Sequence, residues 1–294
     1  MTTETRACLY ALATALLWST IATAFKLTLT YIDPWQMVFW PVVTSILFLS
    51  AAVLIQRKGC LVVRQAKESW KTYLVLGLFN PFLYHLLLFK SYNLLPAQQA
   101  QALNYTWPLA LTLLSSLLLG KKLTVKDSLC CLAAYFGVFI ISTGGDIHNM
   151  SFDSPLGVIL MLMATLVWAL YWTYSTKQSG DSLVSLLLCF LFGLPWITTA
   201  TLWQSSIWPI PLEGLAGAVY IGLIEMGIAY IFWLKALKLT ENTALISNIS
   251  YLSPFLSLIF ISQILNEIIA PATYIGLVMI IAAVLFQQGI RTDR

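Results

Sequence analysis

Apolar residues occur in runs of about twenty along most of the chain, separated by short polar stretches. A helix of that length crosses the hydrocarbon core of a bilayer, which is roughly 30 Å thick. The pattern predicts ten membrane-spanning helices, over residues 7–29, 34–55, 71–92, 97–119, 127–143, 155–176, 182–203, 214–236, 242–264 and 270–289. The longest connecting loop is predicted from Gln56 to Trp70. We therefore predict an all-α integral membrane protein without a soluble domain.

Composition supports this prediction. Hydrophobic residues make up 59% of the chain and charged residues only 10%, against roughly a quarter charged in a soluble domain. The five cysteines are odd in number and lack metal-ligand spacing, so we expect no disulfide framework, metal or cofactor. The net charge of +4 is too small for a nucleic-acid-binding surface. The first apolar run lacks a small-residue cleavage pattern, so we interpret it as a retained span.

The basic residues predict the orientation of these spans, because lysine and arginine near span ends stay on the cytoplasmic side. With the N-terminus inside, all of the 16 lysines and arginines except Lys26 and Lys90 fall on the inner side. Both termini are therefore predicted to be cytoplasmic.

The chain also contains an internal repeat, seen when residues 76–108 are aligned with 221–254 with one gap. The alignment pairs Asn80 with Glu225, Lys90 with Lys235, Tyr105 with Tyr251 and Pro108 with Pro254. We predict two five-helix repeats, 1–146 and 147–294. Because five is odd, the second repeat is inverted relative to the first.

Polar and aromatic residues form stripes at helical spacing inside several predicted spans. The candidates on these stripes are Thr14, Trp18, Gln101, Asn104, Tyr105, Trp107, Trp168, Trp172, Ser250 and Tyr251. Polar groups in hydrocarbon are costly and usually face a bundle or a water-filled path. The stripes therefore indicate either a cavity near the bilayer midplane or helix packing through small polar side chains.

Two ionisable residues, His85 and Glu225, lie deep in the predicted spans, and Asn80 occupies the level of Glu225 in the repeat. Glu225 either binds a cationic substrate group, carries a coupling proton or is a structural carboxyl. His85 either moves protons, bonds substrate or is structural. Pro108 and Pro254 each remove a backbone hydrogen bond, which predicts a hinge or a simple kink.

Several motifs resemble the EamA-like branch of the drug/metabolite transporter superfamily. They are Leu-Leu-Trp18-Ser19 in the first span and Asn266-Glu267 after the ninth. Asn104-Tyr105-Thr106-Trp107-Pro108, with Tyr84-His85 before it and Trp168 after it, is similar to the cavity of the aromatic amino-acid exporter subgroup. The resemblance implies that Tyr84, His85, Tyr105, Trp107 and Trp168 line a substrate cavity. Gly120-Lys121 departs from the Gly-Glu that the family often has.

We expect a monomeric secondary transporter of a bacterial inner membrane that exports amino acids or similar small metabolites by alternating access. Its partners would be the small-molecule substrate and the lipid bilayer. The alternative cargoes are a nucleotide-linked metabolite, a toxic cation or a drug, and proton coupling and facilitated diffusion both stay open. A membrane-embedded enzyme is less favoured, because the spans contain no His-Glu-x-x-His, Gly-x-Ser-x-Gly or phosphate-cradling motif.

Overall fold

A helix lies over each of the predicted segments in the computed structural model, which describes residues 2–119, 125–145, 154–175, 178, 180–240 and 243–292. The helices are α1 (Thr3–Ser19), α2 (Ile21–Leu29), α3 (Pro34–Ile55), α4 (Gly59–Gly77), α5 (Tyr84–Leu94), α6 (Ala97–Asn104), α7 (Trp107–Leu119), α8 (Val125–Ser142), α9 (Pro155–Ser175), α10 (Ser182–Gln204), α11 (Leu212–Leu223), α12 (Tyr230–Leu239), α13 (Thr243–Ser250), α14 (Leu252–Ile264) and α15 (Pro271–Thr292), with two π-helical turns, π1 (Leu78–Leu83) and π2 (Ile224–Ala229). These described ranges contain no β-strand. The Gly120-Lys121 departure lies outside them.

Within the part of the chain that the structure describes, six helical stretches are long and apolar enough to cross a membrane. They are Thr3–Leu29, Pro34–Ile55, Gly59–Leu94, Pro155–Ser175, Ser182–Gln204 and Leu212–Leu239, with shorter apolar helices at Ser128–Ser142, Leu252–Ile264 and Pro271–Phe286. Large apolar side chains such as Leu47, Leu54 and Leu202 point outward and are more than half exposed. Such a surface suits lipid rather than water. The chain is therefore an all-helical, multi-pass membrane protein.

The predicted loop from Gln56 to Trp70 is wrong, because α4 begins at Gly59. The hydropathy pattern did not predict a helix here, because the stretch is polar. Arg64 and Glu68 are nevertheless four residues apart, a spacing at which opposite charges stabilise a helix. Arg64 Nε donates to Glu68 Oε1 at 2.9 Å across one turn. Ser69 has non-helical dihedral angles and separates this polar segment from the apolar part of α4.

The predicted fourth and ninth helices are each interrupted. The fourth breaks at Tyr105, whose N–H bonds to the carbonyl three residues back, at Ala102. Pro108 is then the second residue of α7, and Pro254 is the third residue of α14. The first turn of a helix lacks intrahelical partners for its N–H groups, so a proline is accommodated there. The stripe of Gln101, Tyr105 and Pro108 is therefore not carried on one continuous helix.

The order of elements in the first part of the chain recurs in the second. The long helices α3 and α10 have 22 and 23 residues, and each contains an internal proline, Pro41 or Pro195. A π-helical turn follows the next helix in both parts. The broken helices then match in length, since α6 and α13 have 8 residues each and α7 and α14 have 13 each.

Helices α4 and α10 approach so closely that a side chain would not fit between them. A Cβ atom on Gly77 would lie 2.6 Å from the carbonyl oxygen of Cys189, and one on Gly193 would lie 2.8 Å from Pro81. Backbones that approach through small residues are typical of helix packing in membranes. This contact places π1 firmly beside α10.

Aspartates cap both long helices. The Asp33 carboxylate accepts from the N–H groups of Trp35 and Gln36, and Asp181 does the same for Leu183 and Val184. Lys58 Nζ also donates to Asp181 at 2.6 Å. Burial alone would raise the pKa of Asp181, but the hydrogen bonds from Lys58 and from the backbone together lower it. The stabilisation from Asp181 is therefore present at neutral pH and is lost as the pH falls through this lowered pKa.

We predict that Asp33→Ala and Asp181→Ala each lower stability by about 1 kcal/mol at pH 7, because each removes a helix cap. Thermal unfolding in detergent measures the change. Glu68→Gln is the matched control: it removes a carboxylate of a highly exposed ion pair and is expected to leave the unfolding temperature unchanged. An equal effect of all three substitutions would contradict the capping role.

Candidate functional site

A cavity of about 120 Å³ lies among α1, α2, α5, α6, α7, α9, π2, α12 and α13. The predicted residues that line it are Trp18, Tyr84, Gln101, Asn104, Tyr105, Trp107, Trp168, Trp172, Glu225 and Ser250. They come from parts of the chain that are more than 200 residues apart. The cavity is therefore a product of the tertiary fold and not of a single motif. A larger groove of about 530 Å³, between α2, α11 and α14, contains none of the predicted residues.

Four of the predicted residues lie outside the cavity lining. Thr14 is fully buried and donates to the carbonyl of Tyr10 within its own helix. Tyr251 packs against Tyr105 with 6.4 Å between ring centroids, so the tyrosines paired by the repeat alignment lie close together. Asn80 and His85 are completely buried beside the cavity.

Aromatic side chains form much of the cavity wall. The Trp168 ring lies 4.5 Å from that of Tyr84 and 5.8 Å from that of Trp172. Trp18 and Trp233 also line the cavity, with 5.6 Å between their ring centroids. These rings supply apolar faces that also attract cations.

Sequence reasoning missed five lining residues, which are Ile21, Phe25, Leu88, Tyr230 and Trp233. The repeat alignment contained the signal for one of them. At the register that pairs Asn80 with Glu225, Tyr230 falls on the predicted site residue His85, whereas Trp233 falls on Leu88, which was not predicted. Phe25 shares a helical stripe with Thr14 and Trp18 in the sequence, which is a signal for its place in the lining. Ile21 and Leu88 carried no signal, because they are ordinary membrane residues whose position depends on packing.

His85 and Glu225 form a close pair at one side of the cavity. The Nε2 atom of His85 lies 3.7 Å from Oε1 of Glu225. The other ring nitrogen, Nδ1, donates to the carbonyl of Pro81 at 3.0 Å. Within the described part of the chain, His85 Nε2 and Glu225 Oε2 have no hydrogen-bond partner. Of the two residues, only Glu225 lines the cavity, and it is 8% exposed.

The two π-helical turns carry the polar residues Asn80 and Glu225, which the repeat alignment pairs. Asn80 lies in π1 with non-helical dihedral angles, and Glu225 lies in π2. The Asn80 side chain is completely buried and lies close to the hydroxyl groups of Tyr171 and Tyr230. π-Helical turns are frequent at functional sites, because they displace side chains from regular helical positions.

Glu267 holds the helix that carries Gln101 and Asn104. Its two carboxylate oxygens accept from the N–H groups of Ala97 and Gln98 at the start of α6, at 2.9 and 3.2 Å. The Gln98 side chain in turn bonds to the backbone of Ile268 and Ala270. The Asn266-Glu267 motif therefore ties the segment after α14 to the cavity helix α6.

A layer of side chains separates the cavity from the predicted outer surface. Tyr92 donates to Oε1 of Gln101 at 2.6 Å, and its ring packs edge-on against Phe25. Lys26 Nζ donates to the Tyr92 carbonyl at 2.8 Å. Beyond this layer lies a second pocket of about 250 Å³ that Lys26, Tyr92 and Glu267 line.

At the other end, Trp172 and Tyr230 border both the central cavity and a third cavity of about 300 Å³. Ser175, Ser185 and Cys189 are among the residues that line this third cavity. The central cavity therefore lies between two further spaces, with aromatic and polar side chains as partitions.

The model of the EamA-like transporter family matches two stretches of the chain, residues 5–143 and 155–287. The chain belongs to the EamA-like transporter family. The predicted membership is thereby confirmed. Because EamA-like proteins are membrane transporters, the protein is a transporter of small molecules in a lipid bilayer rather than an enzyme.

Relatives of this EamA-like protein carry transporter names. It is 27% identical over 253 residues to the aromatic amino acid exporter YddG of Ancylobacter novellus, which covers 82% of this chain and 83% of the relative. It is 25% identical over 224 residues to the uncharacterized transporter YvbV of Bacillus subtilis, which covers 74% of this chain and 72% of that relative. A crystal structure with a TM-score of 0.65, 23% identity and 98% coverage of both chains shows the same fold.

We predict that Glu267→Ala reduces stability by about 1–2 kcal/mol and slows transport, because two charge-assisted bonds to the start of α6 are lost. Glu267→Gln keeps one acceptor oxygen and is expected to have a smaller effect on both. Thermal unfolding and vesicle transport measure the two quantities. A normal transport rate in the alanine variant would show that α6 does not depend on this cap.

Proposed function

We propose that this protein is a secondary transporter that exports amino acids or similar small metabolites across a bacterial cytoplasmic membrane by alternating access. The observation that carries the proposal is the central cavity, which gathers aromatic, amide, hydroxyl and carboxylate side chains from helices throughout the chain. Polar groups enclosed in this way within a membrane domain mark a substrate path. The relative named as an aromatic amino acid exporter supports this class of cargo.

The proposed architecture has ten spans in two inverted five-helix repeats, 1–146 and 147–294. The recurring order of elements supports it, and so does the double match of the family model. Inverted repeats give a transporter two alternative arrangements around one midplane site. Both termini would be cytoplasmic.

In this mechanism the helix breaks act as hinges. Pro108 has no N–H to bond to the carbonyl of Asn104, and Pro254 has none for the carbonyl of Ser250. Asn104 and Ser250 line the cavity, so each break lies beside the substrate. Aromatic faces would hold the apolar part of the cargo, and Asn104, Ser250 and Glu225 would bond its polar groups.

The proposal is tested with purified protein in proteoliposomes and a panel of labelled amino acids, amines, nucleosides and organic cations. Concentration-driven movement of one or more of these compounds, absent from protein-free vesicles, is the expected result. Movement of none of them, together with hydrolase or transferase activity, would overturn the proposal.

We predict that Trp168→Ala lowers the rate of transport by roughly tenfold, since it removes the ring that contacts Tyr84 and Trp172 in the cavity wall. Insertion and monodispersity in detergent should be unchanged. Trp203→Ala is the matched control, because Trp203 is 84% exposed at the end of α10. Equal transport rates for the two variants would contradict the assignment of the cavity to the transport path.

The proposed topology predicts where the native thiol of Cys60 lies. Cys60 is an exposed cysteine at the start of α4. A membrane-impermeant maleimide should label it in inverted vesicles and not in intact spheroplasts. Cys60→Ser should abolish this signal, and Ser206→Cys in that background should reverse the pattern, since residue 206 follows α10 at the opposite end. Labelling of Cys60 from outside would invert the topology.

A further inference from the structure

We propose that the central cavity selects small monovalent amines with an apolar or aromatic body and no carboxylate, and exchanges each for one proton held by His85 and Glu225. The inference rests on the proposed transport function, and among the cargoes proposed there it assigns small amines in place of amino acids. It is carried by three features of the site, which are the charge of the lining, the aromatic walls and the geometry of the His85–Glu225 pair.

The charge of the lining favours a cation. Glu225 is the one charged side chain among the described residues that line the cavity, and these include no lysine or arginine. Lys26 lies beyond Tyr92 with its ammonium bound to the Tyr92 carbonyl, so it does not reach into the cavity. A substrate carboxylate would lose its water here without gaining a cationic partner, which is costly.

The walls suit an ammonium on a small apolar body. Trp168, Tyr84 and Trp18 line the cavity, and aromatic rings attract cations. The volume of about 120 Å³ is of the same order as the roughly 150 Å³ of an apolar cavity that binds benzene. A single ring or a short alkyl chain with one amino group therefore matches both the size and the chemistry of the space.

The hydrogen bonds of His85 determine how many protons the pair holds. A carbonyl oxygen only accepts, so Nδ1 must carry the hydrogen that it donates to Pro81. In a neutral ring Nε2 would then be a bare acceptor, 3.7 Å from the Glu225 carboxylate, another acceptor. Two acceptors facing each other in a buried site are unfavourable. One proton, bound either to Nε2 or to the carboxyl, removes the conflict.

Among the described residues, none of the other groups that face Glu225 carries a positive charge that would neutralise its carboxylate. The titratable ones are the phenols of Tyr84, Tyr92 and Tyr230, and phenols are neutral at pH 7. Trp18 on α1 and Ser45 on α3, which donates to the Met226 carbonyl, are uncharged.

The exchange balances in charge and atoms. With one proton, the pair has no net charge, whether the proton is on His85 or on Glu225. When an ammonium binds the carboxylate, the proton leaves, His85 is neutral and Glu225 is anionic. The occupied site again has no net charge. One cation therefore crosses in one direction for one proton in the other, and the cycle is electrically neutral.

The first test uses proteoliposomes with a pH-sensitive dye inside and three labelled probes, 2-phenylethylamine, phenylalanine and 3-phenylpropionate. The rates are compared after subtraction of those in protein-free vesicles, because the neutral amine crosses lipid unaided. We expect the protein-dependent rate to be highest for the amine, with one proton counter-transported per amine and no response to an imposed potassium diffusion potential. Faster movement of phenylalanine than of the amine would overturn the inference and leave the proposed function standing. If no compound of the wider panel moves, the proposed function itself fails.

The second test measures amine binding in detergent through the tryptophan fluorescence of the cavity. Proton and amine compete for one carboxylate. In the pH range in which the His85–Glu225 pair holds its proton, the apparent Kd of 2-phenylethylamine should therefore fall by about tenfold for each unit by which the pH rises. Glu225→Gln should remove this pH dependence and weaken binding. His85→Gln leaves the carboxyl as the acceptor for both proton and amine, so it should move the pH dependence to a different pH range with less effect on affinity. Glu213→Gln, an exposed residue of the groove outside the cavity, is the matched control.

A direct measurement on the unmodified protein covers the case in which these variants do not fold. In weakly buffered detergent solution with a pH indicator, saturating 2-phenylethylamine should release one proton per protein. Binding without proton release would overturn the exchange, and no detectable binding of the amine would overturn the selectivity.

Discussion

The constraint on which the rest of this structure depends is that hydrocarbon offers no hydrogen-bond partner to the backbone. Every N–H and carbonyl inside the bilayer must be satisfied within the protein, which makes continuous helices the default. The chain departs from that default at the two π-helical turns and at the breaks before Pro108 and Pro254. These departures border the central cavity or lie beside it, where other protein groups are within reach. Irregular backbone and a polar site therefore occur together.

Caps at the helix ends maintain this arrangement. Asp33 and Asp181 satisfy the first N–H groups of α3 and α10, the corresponding long helices of the two parts of the chain. Glu267 does so for α6, the short helix whose other end is a break. A short helix has few internal hydrogen bonds, so an external carboxylate contributes a larger share of its stability. The position of Gln101 and Asn104 in the cavity thus depends on a residue after α14.

Hydropathy predicted where the helices lie, because burial in lipid imposes the same average composition on each of them. It did not predict the helix that begins at Gly59, since that segment is polar and lies outside the apolar pattern. The breaks could be anticipated from Pro108 and Pro254. The approach of His85 to Glu225 could not, because 140 residues separate them and no periodicity relates side chains on different helices. The membership of Ile21 and Leu88 in the lining also depends on packing alone.

The two parts of the chain have matching elements, so the positions at which their residues differ are informative. At the level of the π-helical turns, one part of the chain has Asn80 and His85, and the other has Glu225 and Tyr230 at the aligned positions. A symmetric site would place two amides or two carboxylates there. Two carboxylates would repel each other at low dielectric, and two amides would hold no charge. The observed combination instead places one acid beside one base, Glu225 and His85, at one side of the cavity. The matching helices of the two parts form the scaffold of the site, and the residues at which the two parts differ provide its acidic and basic groups.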